Sequence, residues 1–566
     1  MTTSRPAPET GPEPEPGTEP EPTIADLLGA AEPAEPRPLG ELITRLATGG
    51  RLHGARDGGK AIGPAALAAI QVQGVTDDSR AVRPGSLFVA VPGLHVDGHT
   101  FIPAAAAAGA AAALVERPQP DIALPQLVVE RSAAALADAA AWWFGDSSLR
   151  LGVVGITGTD GKTTTSFLAA AALESAGLSS GLIGTVATQV GRVREANPEH
   201  TTTPGAPQLQ RTLRAMADAG NAVAVVETTS HGLAADRVRG IAYDVAIVTN
   251  LTHEHLEYHG SWEAYRDAKL SLFERLAVGG ANPIKEVGGR RWPKAAIVNA
   301  DDPSAGAFAG VAQEAGARIL TYGTDPSADV RATHVEEDAD RLRIGFSAPS
   351  GPASVDLHLA GRFNVHNALA VIALGEVLGL DPEAVRAGLA GVRGVPGRME
   401  RLAAGQPFGV VIDYAHSPAS LEKVLGLLAP LAAARGGGVI AVFGSAGERD
   451  TEKRPMMGRI AAERTRLIVV TDEDPRDEDR IAILDDIARG AEDGGKRRDR
   501  DLFVIADRPT AIDAAFERAR PGDIVLLAGK GHEQSIIGPH GPVPYDERAT
   551  ALAALARLGY DGGPDA

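Results

Sequence analysis

The stretch Leu151 to Thr165, LGVVGITGTDGKTTT, constrains this chain more than any other. A short apolar run (Leu151, Val153, Val154, Ile156) gives way to closely spaced glycines and then to Lys162 and Thr163. The following Ser166 to Ala176 is rich in Ala and Leu and ends at Gly177. Strand, glycine turn and helix in that order make a phosphate cradle. Backbone N–H groups of the turn and helix start point at the anion, Lys162 adds a mobile positive charge, and the Thr163 hydroxyl can ligate Mg2+. The fit to the strict phosphate-loop pattern is imperfect, because that pattern places Gly at Ile156 and Gly155 lies one residue early. A glycine turn can also be no more than a tight strand-to-helix connection. The Lys-Thr pair closing the loop at a helix start favours nucleotide phosphate.

At 566 residues the chain exceeds one hydrophobic core, and domain-size statistics predict about three or four units. A formal net charge of −18 argues against general nucleic-acid binding while leaving room for a local basic pocket around a small anion. The absence of cysteine excludes disulfides, thiolate metal sites and a cysteine nucleophile, and is compatible with a reducing cytoplasm. Residues 1–38 are crowded with Pro, Glu, Gly and Thr and read as a disordered acidic tail, without the basic and apolar regions of an export signal. The run Ala104 to Val115 is too short and too weakly apolar for a membrane span and reads as a packed surface helix, so no membrane insertion is expected.

The rest alternates strand-length apolar runs with helical stretches, which predicts an α/β protein with parallel sheets. Ala222 to Val226 leads into Glu227-Thr-Thr-Ser-His231, and Val245 to Val248 into a segment carrying His253, His255 and His259. Ligand groups collect at the carboxyl ends of parallel strands, so both clusters are expected on the edge that carries the phosphate loop. Mg2+ prefers oxygen ligands and retained waters, which makes Thr163 and Glu227 candidate ligands beside phosphate, with His255 completing a second metal site. The three histidines also raise zinc, although their spacing matches no familiar zinc motif; surface histidines near a helix start are the plain alternative. From about Pro396 a further α/β unit is expected. Its strand candidates are Gly409 to Ile412, Val439 to Phe443, Leu467 to Val470, Leu502 to Ile505 and Ile524 to Leu527, most followed by glycine-containing or charged turns.

An ordered set of motifs then carries a resemblance. DDSR (77–80), GTDGKTTT (158–165), TTP (202–204), ETTSHGL (227–233), NLTHEHLEYHG (250–260), AKLSLF (268–273) and GRFNVHN (361–367) continue into VPGRME (395–400), DYAHSP (413–418), GERDTEKRP (447–455) and GKGHE (529–533). Collinear from about Gly74 to Asp546, the chain resembles the Mur ligases, and among them the MurE type, which adds the third residue to the peptide of UDP-MurNAc-L-Ala-D-Glu. The resemblance implies three domains: 39–149 for the UDP-sugar, 150–394 as a central parallel-sheet phosphate-loop ATPase domain, and 395–566 as a Rossmann-like domain for the incoming amino acid. It implies ATP and Mg2+, small-molecule substrates and work in the cytoplasm. The implied reaction is attack of a substrate carboxylate on the γ-phosphate of ATP, followed by displacement of phosphate from the acyl phosphate by an amine.

Residue roles transfer by motif position. Catalytic roles fall to Lys162, Glu227, His255 and Lys269, the last matching a lysine carbamylated by CO2 whose anionic oxygens would face Mg2+ together with Thr163, Glu227 and His255. Gly158, Thr159, Asp160, Gly161, Lys162, Thr163, Thr164, Asn299, Asn364, Arg398, Asp413 and His416 match ATP-site positions. Ser79, Thr202, Thr203, Thr229 and Arg237 match contacts to the UDP-linked peptide, and Arg449, Glu473, Asp474, Pro475, Arg476, Gly529 and Glu533 match the amino-acid pocket. Diaminopimelate enzymes of the type carry Asp-Asn-Pro-Arg where this chain has Glu473-Asp474-Pro475-Arg476. Arg476 suits the distal carboxylate of diaminopimelate, which lysine lacks. Asp474 swaps a mixed donor and acceptor for an anion, which favours an ammonium or disfavours a carboxylate. Leu94-His95-Val96, Asp160, Ala235 and Ser417 depart from the common pattern as well, and leave room for a paralogue acting on a related acid.

Overall fold

Continuous apolar strands are covered by helices on both faces, which positions everything that follows. The computed structural model describes residues 22–93, 96–197, 201–252, 256–279, 282–338 and 341–562. Its largest sheet runs, edge to edge, through Val193–Ala196, Ala187–Val190, Ser180–Ile183, Val223–Glu227, Gly152–Thr157, Val245–Val248, Ala295–Asn299, Arg318–Gly323, Val330–Glu337, Leu342–Ala348 and Gly351–Leu357. The strands from Ser180–Ile183 to Arg318–Gly323 are parallel, and antiparallel pairs close both edges. Gly152–Thr157, the strand feeding the phosphate loop, lies mid-sheet and is buried at every position. One face packs against the helices Lys162–Ser175 and Phe363–Leu378, the other against Ala206–Asp218 and Trp262–Glu274.

Two smaller sheets flank it. The first is ordered Lys60–Ile62, Leu52–Asp57, Gln126–Val129, Ala112–Val115, Ser86–Val89, Gly74–Thr76. The second is ordered Glu400–Leu402, Gly409–Asp413, Ile524–Ala528, Val439–Phe443, Leu467–Val470, Leu502–Val504, parallel apart from its first strand. All five strands expected after Pro396 are present, within a residue or two of their expected ends. Among the described residues no helix is long and apolar enough to cross a membrane.

Two expectations fail locally. The run Ala104 to Val115 is not one helix: Ile102–Ala107 is helical, Gly109 turns the chain at φ +88°, and Ala112–Val115 is a fully buried inner strand. Alanine suits a helix surface and a tightly packed strand equally, and the glycine decides between them. The acidic tail was also drawn too long. Residues 1–21 lie outside the described residues, but Ile24–Ala30 is a helix whose N-cap Thr23 and Asp26 form a capping box. Ile24 and Ala31 join the central core, Glu195 Oε1 accepts from the Ile24 N–H at 3.0 Å, and Glu32 pairs with Arg211. The surrounding Pro and Glu hide this short amphipathic piece.

The amino ends of the central strands are pinned by buried charge. Asp244 accepts from Lys285 Nζ at 2.6 Å, Lys294 Nζ at 2.9 Å and the Val153 N–H at 2.8 Å. Lys285 also reaches the carbonyls of Ser148, Leu151 and Ala242, and burial pushes its ammonium down to about 8. Removing one member of a buried ion cluster strands the others. Asp244→Asn should therefore cost about 3–5 kcal/mol at pH 7, read as a lowered urea midpoint. The deficit should shrink at pH 9, where Lys285 sheds its proton more readily.

Candidate active site

The chain leaves Gly152–Thr157 through Gly158, at φ +143°, and enters Lys162–Ser175 through Gly161, at φ +82°. Side chains fit at neither position: a Cβ on Gly158 would fall 1.9 Å from Thr249 Oγ1, and one on Gly161 would fall 2.5 Å from Asn367 Oδ1. Thr249 Oγ1 donates to Asp160 O at 2.6 Å, and the Thr159 and Asp160 N–H groups donate to Asn250 O and Oδ1 at 2.7 and 3.0 Å. The loop is thus braced by the neighbouring strand end. Lys162 Nζ folds over it, donating to the carbonyls of Gly158 and Thr159 at 2.9 and 2.7 Å. Thr164 is buried in the first helical turn.

Glu227 ends the adjacent strand with none of its surface exposed. Thr163 Oγ1 donates to its Oε2 at 2.9 Å, the Thr185 N–H to Oε1 at 3.1 Å, and Ser166 Oγ to Oε1 at 3.3 Å; Thr185 Oγ1 lies 3.0 Å from Oε2. Among the described residues every one of these partners is neutral. A buried carboxylate without a cation, 2.9 Å from a threonine hydroxyl at a phosphate loop, is a donor set that fits Mg2+. Of the expected metal ligands, His255 lies outside the described residues, as do His253 and the departures Leu94 and His95.

Lys269 reaches the same loop from the far side. It is only 2% exposed, donates to Gly158 O at 2.7 Å and sits 4.6 Å from the centre of the Tyr265 ring, whose hydroxyl is 2.8 Å from Thr159 Oγ1. The expected substrate positions form a chain beside Glu227. Thr203 Oγ1 lies 3.0 Å from Thr229 Oγ1 and donates to Glu227 O at 3.0 Å, while Arg237 donates to Thr203 O at 2.8 Å. Ser79 is half-buried in a short turn, on a loop whose Asp77 feels the charge of Arg237.

The C-terminal sheet closes on the phosphate loop. Lys423 Nζ, on the helix Pro418–Ala434, bonds Asp160 Oδ2 at 2.5 Å, and the charge of Asp160 is felt at Asp413. Burial pushes the Asp413 carboxyl up against the opposing field of Arg398, and the Met399 and Ala415 N–H groups cap it at 2.8 and 2.9 Å. Arg398 lies over the Tyr414 ring, 4.8 Å from its centre. His416 Nδ1 donates to Tyr414 O at 2.8 Å, and burial pushes the imidazole down to about 4, so it is neutral at pH 7 with Nε2 bare. On the central side, Asn299 donates to Thr249 O at 2.7 Å, and Asn367 links Asn364 Oδ1 to Thr165 Oγ1 at 2.8 and 3.2 Å.

A second cluster of buried polar groups adjoins this junction. Lys530, fully buried, donates to Asp474 Oδ1 at 2.8 Å and Glu533 Oε2 at 2.5 Å, and Tyr414 OH donates to Glu533 Oε1 at 3.2 Å. Gly529 brings its backbone against Glu473, where a Cβ would lie 3.3 Å from Oε2. Glu473 is buried, which pushes its carboxyl up against the fields of Lys453 and Lys530. Glu473 Oε2 and Arg476 Nε are both buried without a hydrogen-bond partner among the described residues. Pro475 O accepts from the Glu478 N–H at 3.2 Å and shapes the turn. Arg449 stands exposed, and no described contact draws it into this cluster. Sequence reading missed Thr185, Tyr265, Lys423 and Lys530. Lys530 sits inside GKGHE, where its neighbours drew the attention. Thr185 follows the buried strand Ser180–Ile183 with no polar run to mark it.

A phosphate loop, a buried acid beside it and a domain junction closing over both define an α/β nucleotide-dependent enzyme. Residues 71–142 match the Mur ligase family catalytic domain, 156–375 the Mur ligase middle domain, and 397–531 the Mur ligase, glutamate ligase domain. The UDP-N-acetylmuramyl-tripeptide synthetase of Roseiflexus sp. (strain RS-1) is 50% identical over 498 residues, covering 87% of this chain and 96% of that protein. The UDP-N-acetylmuramoyl-L-alanyl-D-glutamate–2,6-diaminopimelate ligase of Solibacter usitatus (strain Ellin6076) is 40% identical over 87% of this chain and 95% of its own length. A solved structure of a ligase of that same name superposes with a TM-score of 0.58 at 30% identity, covering 87% of this chain and 96% of that one. The chain belongs to the Mur ligase family and is an ATP-dependent ligase.

His416 makes the junction acid-sensitive. Its folded value is depressed from 6.5 to about 4, so the unfolded chain takes up the proton first. The stability it contributes is complete above about pH 6.5 and drains away as the pH falls toward 4. The stability gap between the wild type and His416→Gln, followed by urea denaturation, should be widest near pH 7 and close across that window.

Proposed function

We propose that this ligase joins diaminopimelate to UDP-MurNAc-L-Ala-D-Glu as the third residue of the peptidoglycan precursor peptide, working in the cytoplasm. The observation that supports the choice of amino acid is the pair of orphaned buried atoms in the C-terminal pocket. Arg476 Nε is an unused donor and Glu473 Oε2 an unused acceptor. A zwitterionic distal centre, with one carboxylate and one ammonium, satisfies both; lysine satisfies only the acceptor. Asp474 does not count against this reading, because its Oδ1 is already held by Lys530 and the Ile537 N–H.

In the reaction the terminal carboxylate of the UDP-linked peptide attacks the γ-phosphorus of ATP, breaking its bond to the β-γ bridging oxygen and releasing ADP. The amine of diaminopimelate then attacks the acyl phosphate carbon, phosphate leaves, and the amine gives up a proton as the amide forms. Two negative reactants must be held together, so positioning and charge neutralisation carry the catalysis. Lys162 and the loop N–H groups hold the phosphates, Thr163 and Glu227 hold Mg2+, and Thr202, Thr203, Thr229, Arg237 and Ser79 hold the UDP-linked substrate. Bound there, Mg2+ would supply neutralisation of the phosphate charge.

Lys269 completes the site as a carbamate. A carbamate there would keep one N–H for Gly158 O and offer anionic oxygens to a bound metal. Lys269→Ala should abolish phosphate release while leaving ADP affinity within about threefold. Added acetate should restore part of the rate by supplying oxygens. Near-wild-type turnover of Lys269→Ala removes the carbamate from the account.

Phosphate release with UDP-MurNAc-L-Ala-D-Glu, ATP and Mg2+ tests the assignment, comparing meso-diaminopimelate, LL-diaminopimelate and lysine. One diaminopimelate isomer should exceed lysine at least about tenfold in kcat/KM, the scale of one charged hydrogen bond, and Arg476→Ala should erase that margin. Turnover of lysine alone would reassign the pocket to lysine, and silence with all three would move the enzyme to another acid substrate.

A further inference from the structure

We propose that the Thr185 hydroxyl is a switchable link between the substrate loop and the metal-holding carboxylate, so that the UDP-linked substrate and the divalent cation bind cooperatively. Thr185 acts as a positioning residue in this, and the inference rests on the ligase reading above. The argument is a count of protons. Thr185 Oγ1 lies 3.0 Å from Glu227 Oε2 and 2.9 Å from Thr202 Oγ1. It carries one hydrogen and can serve one of the two at a time. Glu227 is a pure acceptor, whereas Thr202 can donate or accept.

Two arrangements satisfy the geometry. In the first, Thr185 gives its one hydrogen to Oε2, which then carries two hydroxyl donors, Thr163 being the other, and Thr202 Oγ1 goes without it. In the second, Thr202 gives its hydrogen to an acceptor oxygen of the bound substrate. The contact between Thr185 and Thr202 then survives only if Thr185 turns its own hydrogen toward Thr202, which frees a lone pair on Oε2. A divalent cation needs that lone pair, because a hydrogen already pointing at the oxygen repels it. Substrate at Thr202 therefore prepares Oε2 for the metal, and metal at Oε2 by the same linkage prepares Thr202 for substrate.

The backbone is shaped for this contact. Gly184 brings the turn so close that a Cβ there would fall 2.2 Å from Glu227 Oε1, and the Thr185 N–H holds that oxygen at 3.1 Å. The carboxylate is thus fixed through Oε1 in both arrangements, while Oε2 exchanges partners. Thr163 Oγ1 is 3.5 Å from Thr185 Oγ1, too far to stand in for Thr202.

The test is direct metal binding, with Mn2+ as the probe and free Mn2+ counted by electron paramagnetic resonance, with and without saturating UDP-MurNAc-L-Ala-D-Glu and without turnover. In the wild type the UDP-linked substrate should tighten Mn2+ by about fivefold or more, the lower end of usual coupling energies. Thr185→Val keeps the shape and the N–H and removes the hydroxyl; the ratio should fall to about one. Thr185→Ser should restore it. A full ratio in Thr185→Val, or no restoration in Thr185→Ser, overturns the link. Substrate that binds the wild type without changing Mn2+ affinity overturns the link alone, whereas substrate that does not bind the wild type overturns the ligase assignment and the link with it.

Discussion

The carboxylate of Glu227, buried with none of its surface exposed and met only by neutral donors among the described residues, is the constraint on which the rest of the site depends. A buried charge without a cation costs several kcal/mol unless enough donors converge on it. Those donors come from two segments that the sequence keeps apart, the phosphate-loop helix and the turn after Ser180–Ile183. Both can reach Glu227 because Val223–Glu227 lies between Ser180–Ile183 and Gly152–Thr157 in the sheet. The strand order is therefore what makes this acid tolerable, and the acid is what makes the strand order useful.

The two ends of the central sheet divide the labour. At the amino ends, Asp244 holds Lys285 and Lys294 in a closed cluster that also takes the Val153 N–H. At the carboxyl ends capacity is left to spare: Glu227 meets only neutral donors among the described residues. Rigidity at the first end fixes the strand starts by which the second end is registered. A site that must accept a nucleotide polyanion has its unsatisfied groups on the side where ligands arrive.

Much of this was legible in the sequence, for identifiable reasons. The parallel strands announce themselves as short apolar runs, and ligand residues at strand ends follow from topology, so Thr163, Glu227, Asp413 and Glu473 could be placed before any coordinates. Thr185 could not: a single threonine after a buried strand has no pattern, and its importance lies in a contact with residue 227. Lys423 escaped because a lysine on a helix surface looks like every other, and only the closure of two domains brings it to Asp160. The helix Ile24–Ala30 was lost to composition, since its few apolar residues sit beside a long Pro- and Glu-rich stretch. In the run Ala104 to Val115 alanine carried too little information to separate strand from helix, and Gly109 was the signal to weigh more heavily.

Asp474 shows how far a substitution read in isolation can mislead. As an aspartate in a place where asparagine is common, it reads as added negative charge facing the ligand. In the folded chain its Oδ1 receives Lys530 and the Ile537 N–H, and Lys530 bridges onward to Glu533. One buried ammonium holds two carboxylates, and the fields of Lys453 and Lys530 reach Glu473, whose carboxyl burial pushes up. On the proposed reading, an ammonium from the ligand joins these carboxylates, and the unused Arg476 Nε takes a carboxylate of the same ligand. On that reading, charge that looks like repulsion of a carboxylate is half of the recognition of a zwitterion.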